Sequence, residues 1–514
     1  MTTALGSVGV ALVLVTATAV IGFLSNLVSS LPPIQEFGIV SAVGITAALV
    51  IFGALIPALK VEIDTFLEAR GWDRQKRAFG TGGGVLGSLL SGGATAARKA
   101  PWVVIALALV LTVAGGVGAS QVGTSFNQAD FLADDPPGWT ESLPEPFTPG
   151  EYTAKDALDY VNDNFLVETS NADVLVRGNV TSPQALERLD RGVTNASNAN
   201  TTVVLASGEP DVTGPLSTFE SVAATNESFN ATLAAADTDG DGVPDRNVEG
   251  VYDSLYEVAP QQAESVLYRT EGGEYEALHM SVSVEGSASG DAVTEDMGGV
   301  AAVIEGGGVT AIATGQPIVF QIVQDQLLNS VIESLLITLL ATFVFLMLTY
   351  RWLHGSAALG FITLLPVAFS VTWILGTMYL LAIPFNVITG LITSLSVGLG
   401  IAYSIHLSER FSHELGHSGD VWEAMHTAVT GTGGALLGSA ATTIGGFGVL
   451  VFAILPPLQQ FGVITGLTIL YAFLGSVLVL PSLLAIWIRY LGPDDVSATA
   501  RSSAEGEGTP ATDD

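Results

Sequence analysis

The stretch Leu31-Pro32-Pro33-Ile34-Gln35-Glu36-Phe37-Gly38 recurs as Leu455-Pro456-Pro457-Leu458-Gln459-Gln460-Phe461-Gly462, at a constant offset of 424 residues. Each copy joins two long apolar runs. Duplicated sets of apolar segments are typical of transporters, in which two related bundles move against each other. Three further apolar runs and a large polar region precede only the second copy. The sequence therefore predicts one complete repeat preceded by the end of another.

The composition places these runs in a membrane. Hydrophobic residues make up 49% of the 514 residues, and the mean hydropathy is +0.51. The first run is too long for a signal peptide and lacks a charged start, so we expect it to remain as a span. Eight runs can cross about 30 Å of hydrocarbon, near residues 4–28, 36–59, 101–119, 330–350, 356–380, 384–407, 431–454 and 460–488.

The charge is concentrated in the polar region. The chain carries a net charge of −33, and residues 121–328 contain 34 acidic and 6 basic side chains. Such a surface repels nucleic acid, so we expect no nucleic-acid partner. An acidic, lysine-poor protein is typical of concentrated salt, and we expect a halophilic archaeal source. Because the chain has no cysteine, disulfides and thiol chemistry are excluded.

The basic residues predict the orientation. They crowd the loop between the second and third runs, and Arg351, Arg410 and Arg489 follow runs that return to the same side. We therefore expect a multi-pass plasma-membrane protein with both termini cytoplasmic and the polar region extracellular. Five Asn-x-Ser/Thr sequons lie in that region and are candidate glycosylation sites: Asn179, Asn195, Asn200, Asn226 and Asn230.

The polar region alternates helix-like and strand-like patterns, which predicts a small α+β sandwich. Residues 195–250 are interpreted as loops and inserts. In the cytoplasmic connector, a basic surface helix is followed by a Gly-rich flexible linker over Gly80–Lys99. The predicted elements are helices over 154–165, from Pro183 and over 291–304, with strands over 173–180, 276–284 and 309–314.

An acidic segment runs from Asp237 to Asp245. Its carboxylates Asp237, Asp239, Asp241 and Asp245 occupy positions 1, 3, 5 and 9, with Gly242 at position 6 for a sharp turn. This spacing can gather oxygen ligands around Ca²⁺. A complete EF-hand is not predicted because position 12 is a valine. A solvated acidic turn is the alternative, and under either interpretation the segment orders a loop.

A second motif suggests zinc chemistry. His413-Glu414-Leu415-Gly416-His417 matches the H-E-x-x-H pattern, which on a helix can bind Zn²⁺. Gly416 weakens the helix, no third ligand follows at suitable spacing, and the segment lies in a short loop. We therefore expect a solvated surface helix, and a protein that is not an enzyme.

The segment Gly398-Leu399-Gly400-Ile401-Ala402-Tyr403-Ser404-Ile405-His406 carries a family resemblance, supported by Thr314-Gly315-Gln316-Pro317 and by the two Leu-Pro-Pro blocks. The chain resembles the resistance–nodulation–division superfamily, in its hydrophobe-exporter branch with the mycobacterial large membrane proteins (MMPL) and the sterol-sensing proteins. Members have twelve spans in two repeats, each with an outer porter domain. On that template this chain is N-terminally truncated and starts at the fifth helix.

The resemblance implies a division into six parts. They are the last two helices of a first repeat (1–60), a cytoplasmic connector (61–100), a transmembrane helix (101–120), an extracytoplasmic acidic porter domain (121–328), a five-helix bundle (329–489) and a disordered acidic tail (490–514).

One residue departs from the family pattern. Many members place an aspartate before the tyrosine of the G-x-G motif, where a buried carboxylate can carry protons; here that residue is Ala402. We find no other carboxylate deep in a span, so we expect no proton coupling by the family's route. Tyr403 can donate a hydrogen bond to an aspartate of a first repeat or simply pack between helices. His406 is a candidate proton relay or an interfacial side chain.

The resemblance implies a component of an exporter that moves lipidic or amphiphilic molecules, with membrane lipids and a separately encoded first repeat as partners. No cofactor is expected besides Ca²⁺ in the outer domain. A lipid-binding, sterol-sensing-like regulatory protein is the alternative, as is an inactive fragment of a split transporter.

Overall fold

The computed structural model describes residues 2–29, 32–71, 85–122, 152–164 and 168–491, with isolated residues between 132 and 150. The predicted tail lies outside these residues from position 492 onward. The chain divides into two compact units. We call Met1–Pro149 with Gln326–Asp514 the helical unit, and Gly150–Asp325 the α+β unit.

Helices and strands are numbered in chain order along the described residues. The helices are α1 (Thr2–Leu24), α2 (Pro32–Glu68), α3 (Val85–Lys99), α4 (Pro101–Ala119), α5 (Ala154–Asn164), α6 (Pro183–Ser197), α7 (Pro215–Thr225), α8 (Glu227–Ala236), α9 (Val248–Val258), α10 (Pro260–Val266), α11 (Gly290–Ile304), α12 (Gln316–His354), α13 (Ala357–Leu380), α14 (Val387–Ser418), α15 (Val421–Gly448), α16 (Pro456–Leu474) and α17 (Leu480–Leu491). The strands are β1 (Glu168–Gly178), β2 (Val212–Thr213), β3 (Leu267–Arg269), β4 (Tyr275–Glu285) and β5 (Val309–Thr314).

The apolar runs form long helices. Among the described residues, seven stretches are long and apolar enough to cross a membrane: Gly9–Val28, Ile34–Glu68, Pro101–Ala119, Gln316–His354, Ala357–Leu380, Val421–Phe452 and Pro456–Tyr490. The remaining predicted run, near 384–407, falls in α14, a helix of 32 residues. The predicted class, a polytopic helical membrane protein with a small sheet-containing domain, is confirmed.

The helical unit packs around α14 through small residues. A Cβ on Gly398 would lie 3.5 Å from the Cα of Ala19 in α1, and one on Gly400 would lie 3.0 Å from the Cβ of Ala472 in α16. The G-x-G motif therefore lets two helices approach α14, as small residues do in membrane bundles generally. The resemblance motif thus has a role in helix packing.

The predicted flexible linker is wrong where the structure describes it. Val85–Lys99 forms α3, in which Ala97 is fully buried. A Cβ on Gly93 would lie 2.2 Å from the carbonyl oxygen of Val477, so this glycine allows the backbones to meet. The glycines serve close packing rather than freedom of the chain. Residues 72–84 of the predicted connector lie outside the described residues.

The α+β unit is built on an antiparallel sheet with the order β2-β4-β1-β5, and β3 also pairs with β4. The predicted strands are present, although β1 ends at Gly178 rather than Val180. Helices α6 and α11 contact each other and supply the apolar face over the sheet. Met280 and Met297 are fully buried in this core.

The prediction of loops over residues 195–250 is wrong. This part contains β2, α7, α8 and the start of α9. Local signals account for the helices: Pro215 fills the first position of α7, and the Asn226 side chain accepts a hydrogen bond from the Phe229 backbone at the start of α8. The buried side chains Phe219 and Phe229 then attach both helices to the core.

Candidate functional site

The G-x-G motif opens onto a cavity between α14 and α15, with a volume of about 540 Å³. Tyr403 and His406 line it from α14, together with Ala402, and Ser439 and Thr443 line it from α15. Tyr403 is buried and its ring contacts Phe473 edge-on, at 6.2 Å between centroids. The structure therefore brings both predicted coupling residues to one cavity.

Among the described residues that line this cavity, none is charged. Ala402 contributes only a methyl group at the position where the family pattern has a carboxylate. Because the described lining has no carboxylate, the groups in it that can change charge are the imidazole of His406 and the weakly acidic phenol of Tyr403. Whether Tyr403 or His406 acts in coupling stays a prediction.

The structure contains a buried carboxylate that sequence reasoning missed. Glu409 on α14 is 8% exposed, and among the described residues it is the one buried Asp, Glu, Lys or Arg side chain. Its Oε1 lies 3.0 Å from Nε2 of His354 at the end of α12. The apolar run ends before Glu409, whereas α14 continues about three turns further. The feature of the sequence that could have indicated this group is the spacing of His406, Glu409 and Arg410, which places three ionisable side chains within about one turn of α14.

A larger apolar cavity lies between α4, α13 and α16, with a volume of about 730 Å³. Two small residues close one wall: a Cβ on Gly376 would lie 2.6 Å from the Cα of Gly115. Its lining is dominated by aliphatic and aromatic side chains, which include Leu107, Leu111 and Trp373. A cavity of this size and character suits an apolar ligand.

Most polar groups of the apolar cavity bind one another. The Nε1 of Trp373 donates to Oγ1 of Thr112 at 3.1 Å, and Oγ1 of Thr377 lies 2.8 Å from the hydroxyl of Tyr471. The Tyr379 hydroxyl donates to Gln121 at 3.3 Å, near the end of α4. The cavity therefore presents few unsatisfied polar groups to a ligand.

The acidic loop brings three of its four predicted ligands together. Carboxylate oxygens of Asp237, Asp239 and Asp245 lie within 4.8 Å of one another. Asp241 instead accepts a hydrogen bond from the backbone of Val243 at 2.9 Å. In the described part of the chain, no other set of three or more His, Asp or Glu residues meets this distance.

Backbone N–H groups shape the acidic loop. Asp237 accepts hydrogen bonds from Gly240 at 2.7 Å and Gly242 at 2.9 Å, and both glycines have positive φ. The N–H groups of Gly242 and Gly240 lower the pKa of the Asp237 carboxyl. The charge of Asp241 raises the pKa of the Asp239 carboxyl. A bound cation would relieve this repulsion.

The remaining predicted sites have varied surroundings. Asn179, Asn200 and Asn230 are exposed, whereas Asn195 is half-buried and the half-buried Asn226 caps α8. The H-E-x-x-H segment is helical within α14, and the rings of His413 and His417 stack at 4.4 Å. Glycosylation and zinc binding both stay untested.

Residues 248–502 match the model of the MMPL family. Over these residues the chain is similar to membrane proteins of the MMPL type. A membrane protein of Methanocaldococcus jannaschii is 34% identical over 186 residues, which cover 36% of this chain and 47% of that protein. ActII-3, a membrane protein of Streptomyces coelicolor, is 31% identical over 161 residues, or 30% of this chain and 22% of that one.

A second Streptomyces coelicolor membrane protein is 28% identical over 244 residues, which cover 45% of this chain and 32% of that protein. The matched segments thus span less than half the length of each of these relatives. The residues that match the MMPL model include α9 to α17.

Proposed function

We propose that this MMPL-type chain is a component of a membrane transporter that moves lipidic or amphiphilic molecules, and that it is not an enzyme. The observation that carries the proposal is the apolar cavity between α4, α13 and α16. Ligand cavities commonly measure about 300–1,000 Å³ and bind through apolar walls with a few polar groups. The paired polar groups disfavour a sugar or nucleotide and favour an apolar chain whose polar end lies near Gln121 and Tyr379.

A binding measurement tests this proposal. Ala114 lines the cavity and Val113, its neighbour on α4, does not. In purified protein in lipid nanodiscs, Ala114→Phe should weaken binding of a fluorescent fatty-acid analogue by about tenfold, because the ring occupies the cavity. Val113→Phe, which adds the same ring on an exposed position, should bind as the wild type does. Equal affinities in both variants would contradict the proposal.

A lipid-binding regulatory role is the second candidate. The same cavity supports it, because a sensor needs binding without movement of the ligand. Flux of the fatty-acid analogue in proteoliposomes distinguishes the two: flux lost in Ala114→Phe supports transport, and binding without flux supports regulation.

We also propose that a separately encoded first repeat completes the transporter. The support is the cavity beside Ala402, whose described lining includes Tyr403 and His406 but no carboxylate. A helix with a buried aspartate would find a phenolic donor there. If flux appears only when such a partner is added, Tyr403→Phe should reduce it, and unchanged flux would argue for a packing role.

We propose that the α+β unit is extracellular and both termini are cytoplasmic. The positive residues between α2 and α4 support this orientation. Because the chain has no cysteine, single cysteines at Gly82 and Ser207 report their side of the membrane without background. An impermeant maleimide added to intact cells should label Ser207→Cys only. Labelling of Gly82→Cys alone would reverse the orientation.

We propose that the acidic loop binds Ca²⁺. The three gathered carboxylates support this, since each can supply an oxygen ligand. Calcium at about 100 times its Kd should stabilise the folded full-length chain by about 2.7 kcal/mol. Asp239→Asn should abolish the rise in melting temperature, and Glu257→Gln, an exposed control on α9, should keep it. An equal rise in all three proteins would contradict the site.

A further inference from the structure

The contact between His354 and Glu409 stands apart from both cavities. His354 is the last residue of α12, Glu409 lies within α14, and the two side chains are 3.0 Å apart. Glutamate is almost never buried without a partner, because removing its charge from water is costly. A buried ionisable side chain is therefore a candidate functional group.

The surroundings of Glu409 are polar but contain few charges. Tyr350, one turn before His354, is fully buried, and its ring packs on the imidazole at 5.4 Å between centroids. Its hydroxyl makes no hydrogen bond of ordinary geometry among the described residues, although the side chains of Glu409, Thr363 and Ser408 lie near it.

Further neighbours of the pair lie on α13 and α14. Thr363 on α13 binds Ser408 at 2.9 Å, so these hydroxyls are neutral and mutually engaged. Among the described residues, His354 and Tyr350 on α12 and His406 on α14 are titratable side chains that interact with Glu409. Arg410, the next residue, is engaged by Glu414 at 2.7 Å instead.

We propose that His354 and Glu409 form a proton-binding site that controls how the end of α12 packs against α14. With one proton between them, the two side chains form a neutral hydrogen-bonded unit. Loss of that proton leaves a buried carboxylate charge without a counter-charge, and a second proton leaves an imidazolium without one. Either change weakens the contact, so proton binding and helix packing are coupled as one titrating unit.

This site is independent of the proposed transport function, because proton binding and helix packing can be measured without substrate. It also differs from the G-x-G position, where Ala402 cannot bind a proton. The chain can thus respond to pH although the family's carboxylate is missing.

The first measurement is of proton binding. The chain contains six histidines, so ¹⁵N-histidine NMR of the intact protein in nanodiscs resolves few signals, and His354→Gln assigns the relevant one. Glu409→Gln keeps a hydrogen-bonding amide and should move the pH midpoint of the His354 signal by about one unit or more. The control Glu423→Gln, at an exposed position of α15, should leave it unchanged. An unchanged midpoint in folded Glu409→Gln protein overturns the proposal.

The second measurement is of packing. Spin labels on Trp352→Cys in α12 and Gly416→Cys in α14 occupy exposed positions in a protein without other cysteines. The distance between them should change between pH 5 and pH 9. Both Glu409→Gln and His354→Gln should abolish the change, while Glu423→Gln should preserve it. Size-exclusion profiles establish that each variant is folded. A pH-independent distance in the wild type, or a change driven by Na⁺ at constant pH, overturns the proposal.

Discussion

The two copies of the Leu-Pro-Pro block build the same hairpin with the same contacts. In the first, Phe23 and Phe37 pack at 6.1 Å; in the second, Phe447 and Phe461 pack at 5.6 Å. Each block is preceded by a short 3₁₀ turn, Ser25–Val28 or Val449–Phe452. The matching positions differ by 424 residues throughout, so the repeat in the sequence is also a repeat of contacts.

The hairpins differ in which helix is buried. In an apolar segment of 18 residues within α2, 6% of the residues are buried, against 72% in such a segment within Pro456–Tyr490. The order reverses for the preceding helices, with 39% buried in an 18-residue segment of the stretch Gly9–Val28 and 11% in one of the stretch Val421–Phe452. The same hairpin motif can therefore pack either of its two helices against a bundle. The side chains around the hairpin determine which helix is buried.

The side chains of the two 3₁₀ turns show how the sequence determines which helix is buried. Ser25 and Asn26 in the first copy are buried and contact α12, whereas the matching Val449 is 65% exposed. Polar side chains stand where the turn meets protein, and apolar ones where it faces away. This is the pattern expected when the surroundings are hydrocarbon, because a lipid-facing polar group has no partner.

The largest expected effect comes from adding one methyl group at the matching glycine of each hairpin. A Cβ at Gly462 would lie 2.7 Å from the Phe447 carbonyl oxygen, and one at Gly38 would lie 2.5 Å from the matching Phe23 oxygen. Overpacking costs about 1–3 kcal/mol where neighbours cannot yield. We expect Gly462→Ala to lower the melting temperature by several degrees and Gly38→Ala to lower it less, because the exposed α2 can move outward.

Controls for this comparison exist in each hairpin. Gly44 has nothing within 4 Å of the added methyl group, and Gly466 has only Ile444 at 3.8 Å. Alanine at these positions should preserve or raise stability, because it favours helix by about 1 kcal/mol over glycine. Equal losses in Gly38→Ala and Gly462→Ala would mean that the exposed helix is as constrained as the buried one.

The sequence predicted the elements more accurately than it predicted their partners. Apolar length and the Leu-Pro-Pro repeat identified the spans, and alternation identified β4 and β5 almost to the residue. The packing of α3 was not predicted because its glycines suggest a flexible linker. One of them, Gly93, instead allows the backbone of α3 to approach Val477. Glu409 escaped because its burial depends on α12, more than 50 residues away in the sequence, which no local pattern reports.

A smaller effect is expected at the turn that is polar in only one copy. Ser25 Oγ lies 2.6 Å from Oγ1 of Thr338, and Ser334 donates to the carbonyl of Ser25 at 2.9 Å. In a double-mutant cycle, Ser25→Ala and Thr338→Val should show a coupling of about 0.6 kcal/mol, the average for hydrogen bonds between membrane helices, and at most about 1.7 kcal/mol. Val449→Ser at the matching position should gain no such coupling with any residue of α12. If the losses of stability from the two substitutions are additive, the polar contact does not explain the difference between the copies.

The smallest effect concerns a feature that the two hairpins share. The Gln35 side-chain amide donates to the Ser29 carbonyl at 2.7 Å, and that of Gln459 donates to the Ala453 carbonyl at 2.9 Å. Both glutamines are half-buried, so water partly replaces a lost bond, and each alanine substitution should cost about 0.5–1 kcal/mol. Glu36→Ala and Gln460→Ala, one position further along, serve as controls because no hydrogen bond of their side chains is described. Chemical denaturation in mixed micelles can compare all four variants. Equal losses of stability at Gln35 and Gln459 would establish that this hydrogen bond stabilises each turn regardless of the helices around it. A loss confined to Gln459 would show that the bond matters only where the following helix is enclosed by its neighbours.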